Sequence, residues 1–138
     1  MADRLFGEYR HTIDAKNRLF FPAKMRETLG ETFMLVKGSK RCISVYTRDA
    51  WNGIAADIEN RKDAEGGDIK RKLGSSTYEV SADAQGRVIV PPQLIKYAGI
   101  EKNVIIAGAI FRAEIWDEEI YNNYVEERDA NTSSSYDM

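Results

Sequence analysis

Two short segments of the sequence place a carboxylate and a guanidinium four residues apart. Both read Asp-Ala-x-x-Arg, one spanning Asp14–Arg18 and the other Asp83–Arg87. An aspartate at the head of a turn can accept hydrogen bonds from N–H groups two and three residues further on, and the arginine can pair with it across the reversal. Asn17 and Gly86, at the fourth position, are residue types that tolerate positive φ. The pattern predicts two equivalent tight turns, in which both aspartates, Asn17 and Gly86 are structural.

The arginines of the two turns have different neighbours. The first turn is surrounded by side chains that can carry positive charge: Arg10, His11, Lys16, Arg18 and Lys24. Such a group is typical of phosphate contacts combined with base-edge recognition by a forked guanidinium. The second turn instead has Glu79, Val80 and Gln85 near Arg87. The sequence therefore predicts two turns of the same shape but unequal charge, with nucleic acid as the candidate ligand.

Catalytic interpretations of the same residues are weaker. Asp14 with Asp83 could act as acid and base, or Cys42 with His11 as nucleophile and base. Each aspartate, however, is needed by its own turn, and Cys42 lies in an apolar strand, where a buried and unreactive thiol is usual. No Walker loop, dinucleotide fingerprint or metal-ligand spacing occurs, and we interpret Gly66-Gly67 as a flexible joint. We expect no enzymatic activity, metal, cofactor or small-molecule substrate.

Composition limits the size and location of the protein. At 138 residues, with 43% hydrophobic and 30% charged residues, the chain has room for one ordinary domain or two half-size units. No apolar stretch approaches the roughly 18–20 residues of a membrane span, and the first residues lack a signal-peptide pattern. We therefore expect a cytoplasmic protein without membrane contact. Cys42 is the only cysteine, which excludes an intrachain disulfide.

Charge is distributed unevenly along the chain. Residues 114–138 carry a net charge of −7 in a chain whose total is −2, so residues 1–113 carry +5. Within residues 1–26, six bases face three acids. An acidic overall composition therefore does not exclude an anionic partner.

An internal repeat organises the sequence. A shift of 69 residues aligns six identical pairs: Tyr9 with Tyr78, Asp14 with Asp83, Ala15 with Ala84, Arg18 with Arg87, Pro22 with Pro91 and Gly30 with Gly99. After a slip of one residue, a shift of 70 places residues 34–38 over 104–108. We therefore divide the chain into repeat 1 (residues 5–58), a connector (59–73), repeat 2 (74–127) and a disordered tail (128–138).

Both repeats predict the same order of elements. Strands are expected at residues 6–13, 18–21, 33–37 and 42–46 of repeat 1, and at 77–82, 87–90, 103–107 and 112–116 of repeat 2. A short helix that begins at proline and ends at glycine follows the second strand, and an amphipathic helix closes each repeat. One repeat is too small for a good core. We expect an α+β, β-rich fold in which the halves interlock as a pseudo-twofold β-barrel with short helices.

These segments together resemble a known bacterial family. The resemblance is carried by residues 6–18 with Pro22-Ala23-Lys24 and Arg26, by residues 83–87 with Pro91, and by Gly108 and residues 112–116. In order and spacing they are similar to the MraZ family over about residues 5–127, with Asn17 where that family usually has glycine.

The resemblance implies a duplicated AbrB-like swapped-hairpin fold that binds double-stranded DNA. It further implies a ring-shaped homo-oligomer that recognises repeated boxes in the promoter of the division and cell-wall gene cluster containing its own gene. By this resemblance Arg18 and Lys16 fall on the DNA-contacting turn, and Arg87 on its counterpart. We expect a nucleoid-associated transcriptional regulator that represses by occluding the promoter.

An assembly module that does not bind DNA is the alternative from a different class. In that case the barrel would serve only to oligomerise, and the bases would be solvated surface. A steep fall of affinity with salt would distinguish DNA binding, because each phosphate contact releases counterions.

Overall fold

The structure, a computed structural model, describes residues 4–131. Within them the chain forms eight strands, five α-helices and a short 3-10 helix at Ser39–Arg41. Apart from the 3-10 helix and the helix of the connector, they follow the order predicted for each repeat. The strands are β1 (Glu8–Thr12), β2 (Arg18–Phe20), β3 (Thr32–Lys37), β4 (Ile43–Thr47), β5 (Tyr78–Ser81), β6 (Arg87–Ile89), β7 (Asn103–Gly108) and β8 (Ala113–Asp117). The helices are α1 (Ala23–Leu29), α2 (Arg48–Glu59), α3 (Ala64–Ser76), α4 (Pro92–Ala98) and α5 (Glu118–Asn131).

The strand order shows that the two repeats exchange strands. Six strands form one antiparallel sheet in the order β1-β7-β8-β4-β3-β5, and β2 pairs with β6 in a separate two-stranded ribbon. Strand β1 of repeat 1 thus pairs with β7 of repeat 2, while β5 of repeat 2 pairs with β3 of repeat 1. Exchanging the two repeats leaves this order unchanged, so the predicted pseudo-twofold interlocking is confirmed.

The sheet is open rather than closed into the barrel that we expected. Among the described residues, β1 and β5 are its two edges and do not pair with each other. Each ribbon strand follows one of these edge strands in the chain, and the ribbon packs against one face of the sheet. Its central residues Leu19 and Val88 are fully buried, so the ribbon covers the core by packing rather than by hydrogen bonding to the sheet.

The core lies between one face of the sheet and the ribbon with α1 and α4. Phe21, which follows the ribbon strand, packs against Phe33 of β3 with ring centroids 5.3 Å apart. Burial of each such side chain stabilises the fold by roughly 1.5–3 kcal/mol. Helix α5 covers the opposite face, where Trp116 and Tyr121 form a smaller cluster with Ile105. The ribbon and the acidic α5 therefore lie on opposite sides of the sheet.

The predicted shift of 70 is wrong by one residue for β3 and β7. Tyr9 pairs with Ile106, and its repeat-2 equivalent Tyr78 pairs with Leu35. Leu35 therefore corresponds to Ile106, a shift of 71. Since side chains alternate between the faces of a strand, a one-residue error assigns every residue to the wrong face. Ile105, which the sequence alignment matched to Leu35, faces α5 instead of the main core.

The connector and the start of the tail are helical. Gly66 and Gly67 lie in the first turn of α3, where Asp63 Oδ1 accepts the Gly66 N–H at 3.2 Å. A Cβ at Gly66 would lie 2.7 Å from Arg61 Cβ, so glycine allows a close approach here. The interpretation as a flexible joint is wrong. Helix α5 includes residues 128–131, the beginning of the predicted disordered tail, whereas residues 132–138 lie outside the described residues.

Candidate nucleic-acid interface

The first Asp-Ala-x-x-Arg segment folds into a turn that holds its own arginine. Asp14 Oδ1 accepts the N–H groups of Lys16 and Arg18, both at 2.9 Å, and Oδ2 accepts Arg18 Nε at 2.7 Å. The bonds come from residues two and four further on, not two and three as predicted. The third N–H, that of Asn17, donates to the Asp14 carbonyl at 2.9 Å. One carboxylate therefore fixes both the backbone of the turn and the arginine.

The second segment repeats this arrangement almost atom for atom. Asp83 Oδ1 accepts the N–H groups of Gln85 and Arg87 at 2.9 Å, and Oδ2 accepts Arg87 Nε at 3.0 Å. The fourth residues have φ of 63° at Asn17 and 82° at Gly86, which confirms the predicted positive φ. The two turns are equivalent in backbone and in ion pair.

Both carboxylates are stabilised in the charged form. The Arg18 N–H is the main cause that lowers the pKa of Asp14 from its ordinary 3.8, with further contributions from the Arg18 side chain and the Lys16 N–H. The Arg87 N–H lowers the pKa of Asp83 in the same way. Asp14 and Asp83, each of which we call the clamp of its arginine, are therefore ionised at neutral pH.

The ribbon that joins the two turns presents both arginines on one surface. Residues alternate along β2 and β6, so that buried Leu19 and Val88 face inward while four residues face outward: Arg18, Phe20, Arg87 and Ile89. Arg18 lies opposite Ile89, and Phe20 lies opposite Arg87. We call these four residues the ribbon face. It is a pseudo-twofold pattern of two cations and two apolar side chains.

The clamp leaves part of each guanidinium available. The side chains of Arg18 and Arg87 are 31% and 33% exposed. The aspartate accepts from Nε, and within residues 4–131 neither arginine donates a hydrogen bond from its Nη groups. The Nη edge can therefore still make the bidentate contact that recognises guanine or phosphate.

The second turn has a basic neighbour that the sequence comparison missed. Arg26 of α1 donates from Nε to the Phe21 carbonyl at 2.9 Å, and its guanidinium lies over the Phe20 ring at 5.6 Å. A Cβ at Gly86 would lie 2.9 Å from Arg26 Cζ. Repeat 1 thus supplies a cation to the turn of repeat 2. The prediction that Arg87 lacks basic neighbours is wrong, because it considered each repeat by itself.

The remaining predicted residues are distributed over more than one surface. Lys16 and Lys24 are exposed, on the first turn and on α1. Arg10 and His11 are consecutive in β1 and therefore lie on opposite faces of the strand. Arg10 shares its face with Glu8, whose carboxylate accepts the Tyr121 hydroxyl of α5 at 2.6 Å.

His11 belongs to the ribbon side of β1. Its ring packs edge-on against Phe20, with centroids 5.2 Å apart. Partial burial lowers its pKa below the ordinary 6.5, so the imidazole is mainly neutral at pH 7. It supports the ribbon more than it attracts phosphate.

Sequence reasoning also missed the two apolar members of the ribbon face. Phe20 and Ile89 stand in apolar runs that predicted short strands, and nothing local indicates which apolar residue faces outward. The available signal was that Phe20 and Ile89 each follow an arginine by two residues. Residues two apart in a strand share a face, so each apolar side chain lies on the face of its arginine.

The described residues show no geometry that would support the catalytic alternatives. Cys42 is fully buried beside Glu114, and burial raises the pKa of its thiol to about 12. His11 contacts the ribbon, whereas Cys42 packs with Trp116 under α5. Over residues 4–131 no group of three metal-ligating side chains occurs, and no helix there has the length and apolar character to span a membrane.

Comparison with known proteins adds to this geometry. The family model for the MraZ protein matches the chain in two copies, at residues 5–71 and 73–137. A relative named transcriptional regulator MraZ from Thermoanaerobacter sp. (strain X514) is 42% identical over 124 residues, covering 87% of this chain and 85% of that protein. A protein of the same name from Clostridium tetani is 39% identical over 122 residues, covering 86% and 84%. The chain belongs to the MraZ family.

Proposed function

We propose that this chain is a sequence-specific DNA-binding regulator of transcription that contacts DNA through the ribbon face. The observation that carries the proposal is the pair of clamped arginines, Arg18 and Arg87, held on one outward surface with their Nη edges available. The names of its relatives, which describe regulators of transcription, support the same function.

The ribbon has dimensions that suit the major groove. A groove about 12 Å wide admits a two-stranded antiparallel ribbon, and the commonest specific contact made there is a bidentate arginine on guanine. In this arrangement Arg18 and Arg87 recognise base edges. Lys16, Lys24 and Arg26 contact phosphates, which position the protein without reading sequence.

The strand exchange supports an AbrB-like swapped-hairpin fold. Each repeat contributes one ribbon strand and one turn, and both turns flank the same ribbon. The ribbon face is therefore a product of the duplication, since neither repeat alone contains both of its strands.

We further propose that the chain assembles into a ring-shaped homo-oligomer on repeated promoter boxes. One ribbon of six residues offers fewer contacts than a specific DNA complex usually makes. Several ribbons acting on boxes about one helical turn apart raise the effective concentration. By family resemblance the boxes lie upstream of the division and cell-wall gene cluster, where a bound ring would associate with the nucleoid and repress by occlusion.

A gel-shift titration with DNA from upstream of the protein's own gene tests the function. Arg18→Ala should abolish the preference for this duplex over a scrambled one, while light scattering shows an unchanged oligomer. Arg87→Ala is the matched variant, and we expect it to weaken specific binding as well, because Arg26 makes its surroundings basic. Raising the salt from 50 to 200 mM should weaken binding steeply, by about 10³-fold for six phosphate contacts.

Two results would contradict the proposal. Specific binding that survives both arginine substitutions would remove the ribbon face from the interface. An oligomer that shows no salt-dependent DNA affinity would favour the alternative, an assembly module whose basic residues are only solvated surface.

A further inference from the structure

The ribbon face is symmetric in backbone but not in side chains. At one end Phe20 is covered by Arg26 and by the His11 ring. The shift of 69 that relates the ribbon strands places Val80 where His11 lies and Ile95 where Arg26 lies. Both of these side chains pack against the core instead. The end that carries Ile89 therefore lacks both the cation and the imidazole.

The consequence is a difference in exposure between two equivalent positions. Ile89 is 64% exposed, whereas Phe20 is 38% exposed. Directly opposite Ile89 in the ribbon is Arg18, and side chains at opposed positions of an antiparallel pair lie about 5 Å apart. An uncovered branched aliphatic group thus stands beside the arginine of the first turn.

The chemistry of base edges determines what such a group can recognise. An isoleucine side chain has no hydrogen-bonding atom, so it cannot distinguish donors from acceptors. The major-groove edge of thymine differs from that of every other base by its C5-methyl group, which is the apolar feature of that groove. Successive bases are separated by about 3.4 Å along one strand, so a guanine bound by Arg18 has its neighbouring base pairs within reach of Ile89.

We infer that Ile89 is a specificity-determining residue that selects thymine, through its C5-methyl group, next to a base recognised by Arg18. This inference rests on the proposed DNA binding by the ribbon face. Phe20, at the equivalent position, is engaged by Arg26 and His11 and holds its end of the ribbon in place. The two halves of the ribbon therefore recognise different chemical groups on the DNA, and the recognised sequence is asymmetric.

Replacement of thymidine by deoxyuridine tests the inference, because it deletes the methyl group and changes no hydrogen bond. The probe is the duplex from upstream of the protein's own gene, with one thymidine replaced at a time. For the wild-type protein we expect at least one position where the replacement weakens binding, by about fourfold for one buried methyl group. Ile89→Ala should bind the unsubstituted duplex more weakly and lose the discrimination at that position, while Ile89→Val retains most of it.

Controls separate this outcome from misfolding and from failure of the proposed function. Ile89 is exposed, so a thermal melt of Ile89→Ala should match that of the wild type. Phe20→Ala should leave the deoxyuridine discrimination in place. Wild-type protein that binds all substituted duplexes equally, or Ile89→Ala that still discriminates at the same position, overturns the inference while DNA binding stands. No preference for the unsubstituted duplex over a scrambled one overturns the proposed function and the inference with it.

Discussion

At the scale of single residues, the carboxylate of each turn sets the freedom of its arginine. A solvent-exposed arginine loses about 0.5–1.5 kcal/mol of side-chain entropy when it is immobilised on a ligand. The bond from Arg18 Nε to Asp14 at 2.7 Å already restrains this side chain in the free protein. The same carboxylate also repels phosphates. In the proposed complex, the clamp would therefore favour the correct base contact over general attraction to DNA.

Asp14→Asn should separate these two effects. The substitution retains an oxygen for the turn N–H groups but removes the charge that holds Arg18. Affinity for scrambled DNA should rise because one negative charge is lost, and the ratio of specific to scrambled affinity should fall by about threefold to tenfold. Paired gel shifts measure this ratio, with Asp83→Asn as the matched variant. An unchanged ratio in both variants would mean that the clamp has no part in recognition.

The pKa of Asp14 supplies a second prediction at this scale. Because this pKa is lower in the folded state than the ordinary 3.8, the turn contributes stability above pH 3.8 that is lost as the pH falls through the folded value. In Arg18→Ala the backbone N–H of residue 18 still donates, whereas the guanidinium is gone. We expect an NMR titration of this variant to show an Asp14 pKa that is higher than in the wild type but still below 3.8. A value at or above 3.8 would show that the Arg18 side chain, not its backbone N–H, is the main cause of the lowered Asp14 pKa.

At the scale of elements, local patterns and long-range packing differ in how far the sequence reveals them. The turns, the order of the elements along the chain and the positive φ at Asn17 could be predicted because each depends on a few adjacent residues. The register of β3 could not, since Leu35 and its neighbours are all apolar and either face could be buried. The approach of Arg26 to Gly86 joins two repeats across the ribbon, so only the fold brings them together.

Gly86→Ala tests that contact. The new Cβ would lie 2.9 Å from Arg26 Cζ and from Phe20 Cε1, at a residue whose φ is +82°. We expect a loss of about 1–3 kcal/mol of unfolding free energy from the strained backbone and the displaced side chains. Asn17→Gly, in the matched turn, should change stability by less than about 1 kcal/mol, because glycine adopts positive φ freely. Urea denaturation of both variants measures the difference, and equal losses would contradict the close approach.

At the scale of the whole molecule, charge is arranged across the sheet. Helix α5 carries Glu119, Glu126 and Glu127 and packs on the face opposite the core, whereas the ribbon and its arginines lie on the other side. In the proposed complex, DNA would therefore be attracted to the ribbon side and repelled from the side of α5. A chain with a sequence pI of about 5.5 can in this way bind a polyanion in a single orientation.

The hairpin between β7 and β8 presents an apolar tip that suits contact with a second copy. Ile110 and Phe111 at this tip are 52% and 70% exposed, and Phe6, which precedes β1 and lies beside Gly108, is 66% exposed. Ile110 has a φ of 71°, an unfavourable conformation for a β-branched residue, and is held there by two backbone bonds with Leu5 of 3.0 and 3.1 Å. The fold thus maintains strain at a position that exposes apolar surface. Exposed patches of this kind mark interaction sites.

Phe111→Glu should therefore reduce the mass of the assembly in light scattering. The thermal melt of the subunit should remain nearly unchanged, because the Phe111 side chain is exposed and is not part of the core. Affinity for a duplex with one box should change little, whereas affinity for a duplex with several boxes should fall by about 100-fold as the linkage between ribbons is lost. Arg41→Glu, at the tip of the hairpin between β3 and β4, is the matched control for an added charge and should keep the assembly intact. An unchanged mass in Phe111→Glu, or an equal fall in both variants, would assign the subunit contact to another surface. Ring formation requires two unlike surfaces to meet, so in a ring the apolar tip would contact a different surface of the neighbouring subunit rather than a second copy of itself.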